Sequence, residues 1–148
     1  MRIIGCGNLH RGDDAAGILA AERLLALGVE AAVCVGGFAQ LMDMWHGSDD
    51  VIVIDAVVTG ASAGTVHLWD ASRPVPFAKS SASTHGMGIA EAIELSRALK
   101  RLPARLRIYG IEGQNFELGT APLPEVVEAV EEVARRIAGE LQTQSEIA

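Results

Sequence analysis

Two rhythms of apolar residues take turns along the chain: short β-branched runs, and longer stretches in which apolar positions return every three or four residues. Arg2 to Cys6 predicts a first strand, followed by a helix from about Asp14 to Leu27 with Ile18, Ala21 and Leu25 on one face and Gly28 as its stop. Val29 to Val35 predicts a second strand, Gly36-Gly37 a turn, and Phe38 to Trp45 a short helix with Phe38, Leu41, Met42 and Trp45 inward. Asp50 to Val58 carries the strongest strand signal. Its nearly continuous apolar run is what a central parallel strand buried on both faces requires. Gly64 to Trp69 alternates as an edge strand does, and a polar loop from Asp70 to Ser83 ends at Thr84-His85-Gly86. A third helix spans about Met87 to Leu99, with Ile89, Ile93 and Leu95 to Leu99 supplying its apolar positions. Arg105 to Ile111 is the last strand, and Gly113 to Ala121 another loop. Pro124 to Leu141 is the clearest helix, with Val126, Val130, Val133 and Ile137 in a stripe opposite Glu and Arg, and Pro124 in its first turn.

Strands alternating with helices at this spacing predict an α/β fold. The expected form is a three-layer α/β/α sandwich around a mostly parallel sheet of about five strands, with room for one antiparallel edge. The 148 residues, 49% of them hydrophobic, fit one core. Residues 1–141 are read as a single domain and 142–148 as a polar, frayed tail.

Charge narrows the function. A net charge of -7, with the 12 Lys and Arg scattered, argues against a nucleic-acid groove. No apolar run approaches the roughly 20 residues that span a bilayer, and Met1 leads straight into a strand, so a cytoplasmic protein with no membrane contact is expected. The two cysteines, Cys6 and Cys34, fall in strand segments and form no CxxC, which predicts a reduced buried pair.

The candidate chemistry centres on Ile3 to Gly17, IIGCGNLHRGDDAAG: a strand, a glycine turn, and two adjacent carboxylates at a helix start. Gly5 and Gly7 give GxG, but His10 stands where a third glycine would complete GxGxxG, and no Walker lysine follows. Carboxylates at that helix start repel phosphate and attract a cation. Asp13 is read as the helix cap, leaving Asp14 for chemistry. Asp55 at the end of the central strand and His85 at the end of the long loop fall after other strands, and in a doubly wound sheet such groups converge on one crevice. Two carboxylates and an imidazole with positions left open suit nickel, zinc, iron or manganese. Each also has a plain structural reading: Asp14 a cap, Asp55 a partner of the Thr59 to Ala61 turn, His85 a cap of the third helix.

The segments GCGNLHRGDDAAG, VIVIDAVVTGASAGTVH, STHGMGIAEAIEL and YGIEGQNFELG, in this order and spacing, resemble the hydrogenase maturation endopeptidases, and they cover nearly the whole chain. The resemblance implies a protease that removes a carboxyl-terminal extension from the precursor of a nickel-iron hydrogenase large subunit once nickel has been inserted. It implies that Asp14, Asp55 and His85 are the nickel-contacting and catalytic positions. It also implies that the nickel is carried by the precursor rather than held permanently by the enzyme. His10 and Glu112 are further polar candidates for the crevice rim or a substrate contact, whereas His46 and His67 are read as structural or surface residues. Leu123-Pro124-Glu125 stands where such proteins often resemble Ser-Pro-Glu, so a helix cap worth about 1 kcal/mol is missing there. HExxH and GxSxG are absent. Two alternatives stand beside this reading: a cysteine hydrolase using Cys6 with His85 and Asp55, and an accessory protein that senses nickel in the same precursor without cutting it.

Overall fold

The computed structural model describes residues 1–73 and 89–147. Its elements are β1 (Arg2–Cys6), a single 3-10 turn (Gly12–Ala15), α1 (Ala16–Ala26), β2 (Ala32–Cys34), α2 (Phe38–Trp45), β3 (Asp50–Val57), β4 (Val66–Asp70), α3 (Ile89–Ala98), β5 (Arg105–Glu112) and α4 (Pro124–Ile147). The five strands form one sheet in the order β2-β1-β3-β5-β4. All neighbours are parallel except β4, which runs antiparallel to β5 at the edge.

Two cores follow from the alternation of side chains along the strands. On one face Ile52, Ile54 and Ala56 of β3 pack with Ala20 and Leu24 of α1 and with Val126, Val130, Val133 and Ile137 of α4. On the other, Val51, Val53 and Val57 pack with Leu41 and Trp45 of α2 and with Ile89 and Ile93 of α3. β3 is therefore buried on both sides, as its unbroken apolar run requires.

The departures from expectation have local causes. Strand 2 is only Ala32–Cys34, because the Val29 amide is taken by the Leu24 carbonyl at the end of α1 rather than by the sheet. In α1 the buried face contains Leu24, and Leu25 is half exposed, one step of 100° around the helix. Leu95 and Leu99 likewise face outward. The tail expected to fray from Gln142 continues α4 to Ile147, since no Gly or Pro follows Gly139 to stop it. The start of the third helix at Met87 and the loop beyond Arg73 lie outside the described residues.

Helix α1 approaches the sheet so closely that it can carry no side chain at the crossing. A methyl group on Gly17 would overlap the carbonyl oxygens of Cys6 in β1 and Ile54 in β3. These are backbone atoms, so the helix itself would have to lift. Gly17→Ala is expected to destabilise the protein by about 3 kcal/mol in urea unfolding, the upper part of the overpacking range. Gly139→Ala, at an exposed position in α4 with open space around it, is expected to stabilise by about 0.5–1 kcal/mol.

Candidate active site

The carboxyl ends of β1, β2 and β3 surround a cavity of about 200 Å³. It lies where the chain reverses direction across the sheet: β1 leads outward to β2 through α1, and the chain then returns through α2 to β3 on the other side of β1. Such a switch point is where open α/β sheets bind ligands. Cys6, Asn8, Asp14, Cys34 and Asp55 supply the polar lining, and α3 contributes Ile89 and Ala92.

Asp55 occupies a position on β3 whose same-face neighbours, Val53 and Val57, are core residues. Its Oδ1 accepts the Ala56 amide at 2.9 Å. Burial pushes its carboxyl well above the usual range, the nearby Asp14 adds to that, the Ala56 bond opposes it, and Cys34 adds a smaller push. Asp14 comes from the 3-10 turn. Its amide donates to the Arg11 carbonyl at 3.0 Å, and its own carbonyl accepts the Asn8 amide at 3.1 Å. Gly7, with φ of 147°, is needed below it, because a Cβ there would overlap the Asp14 carbonyl. Asp14 and Asp55 are only 3% and 7% exposed, so the two predicted carboxylates share one buried wall.

Asp13 does something other than cap its own helix, since neither the 3-10 turn nor α1 has a side-chain cap. Fully buried, its carboxylate accepts the amides of Gln114 (2.8 Å), Asn115 (2.9 Å) and Leu123 (2.8 Å). Its own amide donates to the Asn115 carbonyl at 2.8 Å. The loop after β5 is thereby fastened beneath Asp14. The negative charge also sits at the approach to α4, where Leu123 offers no side-chain cap.

The remaining candidates take other places. His10 is exposed and does not line the cavity; its amide donates to Asn8 Oδ1 and its carbonyl accepts the Gly119 amide. Glu112, expected at the crevice rim, is 1% exposed and bound to the turn after β3. It accepts the Thr59 hydroxyl (2.6 Å) and amide (2.8 Å) and pairs with His67 at 3.1 Å. Glu112, and not Asp55, therefore holds the Thr59 turn. Burial pushes its carboxyl up, but the Thr59, His67 and Gly60 bonds outweigh this and leave it below the usual range. His67 stacks on Trp69, and His46 is on the surface. His85 lies outside the described residues. Among the described residues, no three His, Cys, Asp or Glu side chains are grouped so as to hold a metal.

The thiol of Cys6 is pushed well up by its hydrogen bond with Cys34, by burial and by the nearby carboxylates. A nucleophilic cysteine needs the opposite environment. The structure thus disfavours a Cys6 hydrolase.

Two outcomes follow. Asp13→Ala removes the acceptor of three amides and is expected to cost about 3–5 kcal/mol in chemical unfolding, each stranded donor costing about 1–3 kcal/mol. Asp55→Asn should raise the melting temperature at pH 7, by about 2–4 °C per kcal/mol recovered in a chain of this size. The sign follows from the raised pKa: the unfolded chain loses the proton first, so stability is lost as pH rises from the ordinary carboxylate range through the folded pKa. The advantage of Asn over wild type should therefore shrink as the pH is lowered.

Comparison with known proteins agrees with this architecture. Residues 35–140 match the family model described as hydrogenase maturation protease. A [NiFe] hydrogenase maturation protease HybD from Thermococcus kodakarensis is 30% identical, with a TM-score of 0.70 over 95% of this chain and 99% of that one. A [NiFe] hydrogenase maturation protease HycI from the same organism is 28% identical, with a TM-score of 0.71 over 95% of this chain and 92% of that one. The hydrogenase maturating endopeptidase HybD from E. coli, 23% identical with a TM-score of 0.76 over 97% of this chain and 94% of that one, shares the fold. No curated protein matches the sequence. With the family model spanning most of the chain and the archaeal protease matching it nearly end to end, the chain belongs to the hydrogenase maturation protease family and is an endopeptidase.

Proposed function

We propose that this endopeptidase cleaves the carboxyl-terminal extension of a nickel-iron hydrogenase large-subunit precursor after nickel insertion, and that it acts in the cytoplasm. The observation that carries the proposal is the pairing of Asp14 and Asp55 on one buried wall at the switch point of the sheet, in a chain of this family. Nickel belongs to the substrate. Two carboxylates and the imidazole of His85 would fill coordination positions that the precursor leaves open, so that productive docking depends on the metal being there. The crowding that raises Asp55 supports this reading, because a cation between like-charged buried groups removes the cost of ionising both. Peptide hydrolysis then needs a water activated either by a carboxylate as general base or by the metal as Lewis acid. His10, on the exposed loop after β1, would meet the precursor outside the cavity.

The test is incubation of a large-subunit precursor, with and without inserted nickel, with wild type, Asp14→Asn and His85→Gln, followed by intact mass. Wild type should remove one defined carboxyl-terminal peptide from the nickel-loaded precursor alone. Each variant should be slower by about 100-fold or more. Cleavage of nickel-free precursor at the same rate would overturn nickel dependence, and capture of the loaded precursor without cutting would overturn the processing role.

A further inference from the structure

Cys6 and Cys34 face each other in the same cavity and take no part in the chemistry proposed for the carboxylates. They are register partners at the carboxyl ends of the parallel strands β1 and β2. Partners on neighbouring parallel strands project from the same face of the sheet, and both residues belong to the core on the α2 and α3 side. Adjacent strands lie about 4.8 Å apart, inside the ~4.4–6.8 Å range of Cα separations that a disulfide spans. The two thiols are free, and both line the same cavity wall. Cys34 Sγ also lies 3.6 Å from the Gly36 carbonyl and 3.4 Å from Gln40 Oε1, beside the exposed Gly36-Gly37 turn where β2 has ended. Sheet pairing therefore holds the two backbones at bonding distance, with both residues on the wall of one cavity.

We propose that Cys6 and Cys34 form a redox-active dithiol that a peroxide closes into an intramolecular disulfide across the wall of the cavity. The inference does not depend on the processing reading. In the first step the Cys34 sulfur, having given its proton to water, attacks one peroxide oxygen. The O–O bond breaks, the sulfur becomes a sulfenic acid, and the departing hydroxide is protonated to water. In the second step the Cys6 thiol attacks the Cys34 sulfur and passes its proton to the departing hydroxyl as it does so. The S–S bond forms, the S–O bond breaks, and the hydroxyl leaves with the Cys6 proton as a second water. Two thiols and one hydrogen peroxide thus give one disulfide and two waters, and a dithiol reductant reverses the change.

The chain contains only these two cysteines, so the assignment is direct. The reduced full chain is exposed to hydrogen peroxide with glutathione in the same tube as a reactivity control, then unfolded, alkylated with iodoacetamide and weighed intact. The expected product is a monomer lighter by two hydrogens that takes up no label, and dithiothreitol restores two labels. Cys34→Ser and Cys6→Ser, checked for folding by circular dichroism, should give no monomer of reduced mass, only labelled or oxygenated chain. The proposal is overturned if wild type keeps both labels after the glutathione has been consumed. It is equally overturned if oxidation adds oxygen without closing the bond, or links two chains instead of one.

Discussion

Two carboxylates held on one buried wall are the constraint to which the rest of this structure answers. Asp14 and Asp55 both lose water on folding, and Asp14 makes the charge of Asp55 harder to bear. Left to themselves, such groups would turn outward. Asp55 cannot, because β3 is paired on both sides, to β1 and β5, and its same-face neighbours are packed core residues. Asp14 is held by its backbone, bonded to Asn8 and Arg11, and by the fastening of its neighbour Asp13 to a distant loop. The electrostatic cost at Asp55 is thereby locked into the sheet, and core packing elsewhere sustains it.

The same wall depends on how low α1 can lie. Gly5 and Gly17 meet face to face: a Cβ on Gly5 would overlap the Gly17 carbonyl, and it would stand 2.8 Å from the Ala21 methyl. Without side chains at the crossing, the start of α1 sits directly on β1 and β3. That contact sets the height of the 3-10 turn above the strand ends, and hence of Asp14 relative to Asp55. Small residues here are geometric requirements for the carboxylate wall one turn away.

Much of this was legible in the sequence, for identifiable reasons. β3 announced itself because burial on both faces leaves no polar position until Asp55, and the core stripe of α4 because its apolar residues keep helical spacing. The edge position of β4 followed from its alternation, and its antiparallel direction is what the pairing with β5 adds. Other features leave no periodic trace. Whether Leu24 or Leu25 turns inward depends on a fraction of a helical turn. Asp13 looks like a cap because its partners lie more than a hundred positions away, and nothing in local spacing points to Gln114 or Leu123. Glu112 looks like a crevice residue because it ends a strand, yet its carboxylate closes on Thr59 and His67. The facing of Cys6 and Cys34 is a matter of strand register, which pairing decides and neither segment shows alone.

The reach of Asp13 also orders events in time. A chain emerging from the ribosome presents the first turn and its two acids early, but the amides that fasten them belong to Gln114, Asn115 and Leu123. β5, which flanks β3, also comes late in the chain. Until those residues are made, the acids stay unfastened and the wall they form does not exist. A chain truncated before Leu123 therefore cannot hold this wall together, however well its first strand and helix are formed.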